Sequence, residues 1–383
     1  MTARPIPYGH QDVNDADIEA VVAVLRGDFL TQGPAIPAFE AALAGSRGAS
    51  HAVAVANGTA ALHIACLALD LGPGDWLWTS PISFVASSNC ALYCGASVDF
   101  VDIDPATANI SVECLARKLE IAAAQGRLPK VVIPVHFAGQ PCDMAAIGVL
   151  AERYGFTVIE DACHAVGATI GADPVGNCRH SAMTVFSFHP VKIVTTGEGG
   201  AITTNDPALD NRLRRLRSHG IERRRADSWE YEQVELGFNY RITDLQAALG
   251  SSQLTRIDDF VARRAALADR YDRLLDSLPV APLGRAPNRR SAWHLYMVRL
   301  DPKARPGVYR HMRAAAIGVN VHYIPIYWQP HYAGLGFVKG LCPNAEAYYQ
   351  GVLTLPLFPG LAEADQDRVV EVLTDALAVA SAD

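Results

Sequence analysis

Between residues 51 and 204 the chain alternates short, continuous apolar runs with longer stretches of helical periodicity. Residues 51–55, 76–79, 98–103, 131–135, 157–159, 183–188 and 201–204 read as strands. Several of these runs have no polar alternation, so neither face is expected to meet water, as in a parallel sheet covered on both sides. The helical stretch after Asn57-Gly58-Thr59 and those at 83–94, 111–124 and 143–154 have the lengths of crossovers between such strands. A doubly wound α/β sheet is the expected core. Ahead of it, Asn14 or Asp15 can cap a helix through Ile18, Val21, Val22 and Leu25, stopped by Gly27. A turn at Leu30-Thr31-Gln32-Gly33-Pro34 feeds a second short helix around Phe39 and Leu43.

The pattern changes after residue 250. A long helix over 243–276, broken or continuous, leads to a turn-rich stretch at 279–290. Strands at 294–300 and 319–323 flank a helix over 308–316, and a last helix covers 362–380. This is an α+β pattern. At 383 residues the chain exceeds one small core, so a large domain over 1–250, with an N-terminal helical segment, and a small one over 251–383 are expected.

Composition excludes some partners. A formal charge of −7 argues against nucleic acid or an anionic membrane surface. No stretch approaches the roughly 20 apolar residues of a membrane span, and residues 1–11 lack a leader pattern, so a cytoplasmic protein is expected. The eight cysteines show no disulfide-framework spacing. Cys90 and Cys94 are one helical turn apart, but no second ligand pair accompanies them, and His180 and His189 lack partners too; no metal is expected.

Chemistry gathers at strand ends. Asn57-Gly58-Thr59-Ala60 opens a helix after a strand, where free N–H groups suit a phosphate, though an ordinary capped helix reads the same way. Phe84 lies just past a strand end and is either a core aromatic or a ring that stacks on a flat ligand. Asp161 follows Val158-Ile159-Glu160, where open α/β sheets place ligands; it either caps a helix or bonds a pyridine nitrogen. His164, one turn on, is a core histidine or a contact to the same ring. Lys192 ends Ser187-Phe188-His189-Pro190-Val191 before the turn Thr195-Thr196-Gly197-Glu198-Gly199-Gly200. A lysine there is costly to desolvate unless its amine is paired or consumed in a Schiff base with an aldehyde such as pyridoxal phosphate (PLP). The alternative is a snorkelling surface lysine. Arg212, Arg214, Arg215, Arg217 and Arg223-Arg224-Arg225 form the one basic cluster, read first as a solvated or intersubunit face, then as a diphosphate site.

Order and spacing are more specific than any single signal. Leu30-Thr31-Gln32-Gly33-Pro34, Asn57-Gly58-Thr59-Ala60-Ala61-Leu62, Glu160-Asp161-Ala162-Cys163-His164, Ser187-Phe188-His189-Pro190-Val191-Lys192, Gly197-Glu198-Gly199-Gly200 and Gly237-Phe238-Asn239-Tyr240-Arg241 are the segments concerned. Together they resemble the fold type I PLP-dependent sugar-nucleotide aminotransferases of the DegT/DnrJ/StrS group, over nearly the whole chain. That resemblance implies a large domain with a mostly parallel seven-stranded sheet and a smaller C-terminal α+β domain. It implies that Lys192 carries the cofactor, Asp161 binds its pyridine nitrogen and Phe84 stacks. Gly58, Thr59, Ala60 and Ser187 would surround the phosphate. His164 stands where the family often has glutamine. Asn239 is similar to an asparagine that reaches the neighbouring subunit's phosphate, which implies a homodimer with shared sites; the amino donor expected for the reaction is glutamate. Related sugar dehydratases carry histidine in place of the lysine, so Lys192 points to transamination. Within the group, Ile6-Pro7-Tyr8-Gly9, residues 28–34 and residues 187–192 look most like the transaminases of pseudaminic acid biosynthesis. Their substrate is a UDP-linked 4-keto-6-deoxy-N-acetylhexosamine, and Tyr8, Phe29, Leu30, Thr31, His322 and Tyr323 would line its site. Another nucleotide-linked keto sugar, a dehydratase or epimerase, and a non-catalytic sensor are the alternatives.

Overall fold

The computed structural model describes residues 4–222 and 229–380. Arg223, Arg224 and Arg225 lie outside the described residues. Seven strands form the central sheet: β1 (His51–Val55), β2 (Trp76–Thr79), β3 (Ser97–Phe100), β4 (Val131–Ile133), β5 (Thr157–Asp161), β6 (Met183–Ser187) and β7 (Gly200–Thr204). Their order is β1-β7-β6-β5-β4-β2-β3. Neighbours from β6 through to β3 are parallel, and only β7 opposes both strands beside it.

Burial on both faces explains why these runs lack polar alternation. Val53, Val55, Val131 and Ile133 point to a face covered by α3 (Gly58–Ala68) and α4 (Ala86–Tyr93). Ala52 and Ala54 point the other way, into a cluster with α2 (Ala35–Arg47) and, further along the chain, α8 (Asp244–Leu254). Val132 and Val158 meet α5 (Val112–Ala124) and α6 (Met144–Tyr154) on that same side. Successive residues thus serve opposite layers, as the pleat requires. Before α2, α1 (Asp15–Leu25) begins at Asn14 with a reciprocal bond to Asp17.

The expected helix over 243–276 is broken. Its two parts are α8 and α9 (Ile257–Leu275), separated at Thr255 and Arg256. Arg256 leaves helical geometry to bind Asp12 at 2.8 Å and the buried Asp17, which ties α1 across the break. A second difference concerns the expected strand at 319–323, which makes only an isolated bridge from Asn320 to Thr354. There the Asn320 side chain accepts from the Val321 N–H, removing a donor that a ladder needs. Tyr296–Arg299 pairs on one side with Ala281–Pro282 and on the other with Val352–Leu355, a run too short to be told from the end of the helix before it. Ile6 bridges Ile317 and joins the C-terminal apolar cluster, so the first residues brace the last third of the chain.

The arginine cluster is neither a solvated face nor a diphosphate site in its described part. On α7 (Pro207–Arg217), Arg214 and Arg217 bind the buried Glu40 at 2.7 and 2.6 Å. Arg212 pairs with Asp70 and Glu235, and Arg215 with Glu222 and Glu235. Glu40 also accepts from the Ala54 N–H, so these charges fasten α7 and α2 to the edge strand β1. Among the described residues, no helix is long and apolar enough to cross a membrane.

Candidate active site

A cavity of about 740 Å³ opens at the ends of β1, β5 and β6. One wall is the start of α3. Asn57 is fully extended, and its Oδ1 accepts from the Ala60 N–H at 2.8 Å, which fixes the first turn. The other first-turn N–H groups have no acceptor within the helix and make an anion cradle. Sterics keep this cradle tight. A Cβ at Gly58 would lie 3.0 Å from Ser187 Cβ and 3.3 Å from Cys163 Sγ. Gly200 stands in register with Val55 on one side and Ser187 on the other, and a Cβ there would meet the Asn57 backbone at 2.6 Å. Backbone cannot swing aside as a side chain can. Gly200→Ala is therefore expected to destabilise the protein by about 1–3 kcal/mol and to weaken PLP binding at least about tenfold; urea unfolding and absorbance titration read the two effects.

The opposite wall carries Asp161. The strand expected over 157–159 runs two residues further and ends on Asp161 itself, because the Asp161 N–H donates to Pro134 O and continues the ladder. Its Oδ2 accepts from Ser87 Oγ at 2.6 Å and its Oδ1 from the Cys163 N–H at 3.1 Å. Ser83 in turn lies 2.6 Å from Ser87, so the buried carboxylate is held by a short hydroxyl chain. Phe84 is 59% exposed and lines the cavity, which removes the core-aromatic alternative.

Lys192 faces Asp161 and Cys163 across the cavity, and burial lowers its amine from the ordinary lysine value against the pull of those two groups. It is not a snorkelling lysine. Three histidines surround it. His164 and His294 pack with ring centroids 4.4 Å apart and planes tilted by 48°, and the buried Nδ1 of each has no partner. His164 Nε2 lies 3.5 Å from the Tyr323 hydroxyl, and His322 Nδ1 lies 2.8 Å from Thr354 Oγ1. Burial, then the Lys192 charge, pushes all three imidazoles down, His164 and His294 well below 6.5 and His322 to about 3.

That depression has a sign. As pH falls below 6.5 the unfolded His322 takes up a proton that the native one refuses until about 3, so acid erodes stability across this window. His322→Gln is expected to flatten the stability slope inside it by about 1.4 kcal/mol per pH unit. Urea unfolding of both proteins at several pH values measures the difference.

Tyr8, Gly58, Thr59, Ala60, Phe84, Asp161, His164, Ser187, Lys192, His322 and Tyr323 all line this one cavity. Phe29, Leu30, Thr31 and Asn239 do not. Phe29 and Leu30 are exposed, Thr31 bridges Thr243, and Asn239 is exposed and bridged to Ser218. Sequence reasoning missed Ser87, Gly200 and His294. Ser87 sits in a helix and His294 beside an apolar strand, so neither has a local signal; Gly200 was quoted in its turn without a role.

The site fits PLP on its own chemistry: an anion cradle too tight for a side chain, a buried carboxylate opposite, a lysine between them and an orphaned imidazole nitrogen. Fold and site together define a PLP-dependent aminotransferase. Residues 11–374 match the DegT/DnrJ/EryC1/StrS aminotransferase family, and the chain belongs to that family of sugar aminotransferases. It is 38% identical over 385 residues to the spore coat polysaccharide biosynthesis protein SpsC of Bacillus subtilis (strain 168), covering 97% of this chain and 96% of that one. The PLP form of Spr1654 from Streptococcus pneumoniae superposes with a TM-score of 0.90 at 28% identity, over 98% of this chain and 100% of that one. Helicobacter pylori PseC, an aminotransferase of pseudaminic acid biosynthesis, gives a TM-score of 0.90 at 28% identity, over 97% of this chain and 99% of that one.

Proposed function

We propose that the enzyme moves an amino group from glutamate to C4 of a UDP-linked 4-keto-6-deoxy-N-acetylhexosamine, as in pseudaminic acid biosynthesis. The carrying observation is one continuous cavity, with the Asn57–Ala60 cradle, Asp161 and Lys192 at one end and Tyr8, His322 and Tyr323 at the other. The second set offers neutral hydrogen-bonding groups, which suit hydroxyl and acetamido substituents better than carboxylates. The likeness to PseC supports the particular sugar.

In this reading Lys192 binds the cofactor through its amine, Asp161 its ring nitrogen, Phe84 its face and His164 its phenolic oxygen. Gly58, Thr59, Ala60 and Ser187 hold the phosphate, with Asn239 supplied by a second copy. Bound PLP supplies an electron sink that lets a proton leave the carbon bearing the amine. Lys192 Nζ, its basicity reduced by burial, would take up and return that proton. The carboxylate of Asp161, fixed by Ser87, keeps the ring nitrogen cationic throughout. Tyr8, His322 and Tyr323, with Phe29, Leu30 and Thr31 from the turn at residues 28–34, position the sugar. A large domain over 1–250, a small one over 251–383, a cytoplasmic homodimer and shared sites belong to the same reading. The exposed Asn239, together with Trp229 and Leu236 at 87% and 77% exposure, supports a partner surface there.

A second reading, another nucleotide-linked keto sugar, is favoured by the higher identity to a polysaccharide biosynthesis protein. Purified protein is to be challenged with glutamate and a panel of 4-keto and 3-keto UDP, GDP and dTDP sugars, with products followed by mass. Amine transfer to the UDP-linked 4-keto-6-deoxy-N-acetylhexosamine is expected at the highest kcat/KM. Preference for a GDP or dTDP sugar would replace this substrate with the second reading.

A further inference from the structure

His294 is close to the reacting amine yet has no role in the reading given so far. Its Nε2 lies 3.5 Å from Lys192 Nζ, its ring is buried, and its Nδ1 has no partner. A buried imidazole with one orphaned nitrogen is costly to keep unless its other nitrogen serves a purpose.

The backbone that carries this ring is unusually constrained. Trp293 has φ +51°, and the Ala292 and Leu295 N–H groups donate to Gly139 O and Ala138 O. Gly139, at φ +100°, approaches so closely that a Cβ would lie 2.8 Å from Trp293 N, 3.0 Å from His294 N and 3.0 Å from His164 O. One turn therefore sets the two histidine rings against each other. Behind them the buried Arg264 donates to the carbonyls of Trp293 and Leu357 at 3.2 and 3.0 Å. His294 is thus pinned from three directions, and the remaining freedom belongs to the lysine.

We propose that His294 is the positioning residue of Lys192: its Nε2 accepts a hydrogen bond from Nζ and so directs the amine's lone pair into the cavity. A neutral amine has two N–H groups and one lone pair, so fixing one N–H confines the lone pair to a narrow arc. The acceptor must hold the amine without taking its proton. His294 meets this because burial and the surrounding Lys192, His164, Arg264 and His322 keep its imidazole neutral. A carboxylate at the same place would hold the amine as a cation, useless as nucleophile or base.

This proposal rests on Lys192 being the residue that captures the cofactor. Capture forms a C=N bond from Nζ to the PLP aldehyde carbon and releases the aldehyde oxygen as water; pyridoxamine phosphate binds the same cradle without that bond. The two cofactors therefore separate positioning from structure. His294→Leu removes the acceptor, and His294→Gln returns one near the Nε2 position. Each full-length variant, freed of cofactor, is mixed with PLP and followed by visible absorbance, while pyridoxamine phosphate affinity is measured in parallel. His294→Leu is expected to slow capture about 30-fold or more with pyridoxamine phosphate affinity within about twofold of wild type, and His294→Gln to recover most of the rate. Capture by His294→Leu at the wild-type rate would overturn the proposal. So would equal losses in capture and in pyridoxamine phosphate affinity, which would make the ring a structural element only. Wild-type protein that binds PLP without capture would instead sink the assignment of Lys192, and this proposal with it.

Discussion

Lys192→Ala is expected to lower amine transfer by at least about 10⁴-fold, equivalent to roughly 5 kcal/mol or more of lost transition-state stabilisation. Two functions are lost at once: the amine that captures the cofactor and the base that moves the proton. No neighbour can replace it. His164, His294 and His322 are held as weak bases by burial, and Cys163 is pushed well above the ordinary thiol value by burial and by Asp161. Pyridoxamine phosphate should still bind, because the cradle at Asn57–Ala60 does not involve the lysine. A variant that turned over any keto sugar within about tenfold of wild type would disprove the mechanism.

Asp161→Asn is expected to cost about 10³-fold in kcat/KM, or roughly 4 kcal/mol, with the fold intact. Asparagine matches the shape: its Oδ1 can still accept from the Cys163 N–H while its Nδ2 donates to Ser87 Oγ, so the hydroxyl chain survives with that bond reversed. What it lacks is the negative charge that keeps the ring nitrogen protonated. Loss should therefore appear in the rates of both half-reactions while cofactor affinity changes little. Ser87→Ala provides the scale. It leaves the charge and removes only one orienting bond, so its effect should fall to about tenfold or less. Equal activity of Asp161→Asn and wild type in single-turnover assays would show that the carboxylate serves only the turn after its strand.

These predictions depend on residues of differing legibility. Lys192, Asp161 and the Asn57–Ala60 turn are visible because each sits at the end of an apolar run, and polar groups at such places are costly without a task. Phe84 and His164 were ambiguous because a ring or an imidazole inside a helical stretch reads equally well as core; exposure removed the core reading of the first, and for the second the fold adds only a place on the cavity wall. The arginines of α7 misled for the opposite reason. Their acidic partners Glu40, Asp70 and Glu235 lie far away in sequence, so the cluster looks unpaired until the fold brings them together. Val352–Leu355 was overlooked because a run of four residues carries too little periodicity to tell strand from helix.

Local pattern by itself determined the doubly wound sheet, the strand-end position of Asp161 and the place of Lys192 in the turn after the next strand. It could do so because burial on both faces forces continuous apolar runs, and a run's end is visible in the chain. Tertiary structure alone decided that Gly200 lies wedged against Asn57, that Ser87 holds Asp161, and that His294 lies beside Lys192. Those contacts join residues 74 to 143 positions apart, and no local propensity reports on a partner that only packing brings within reach.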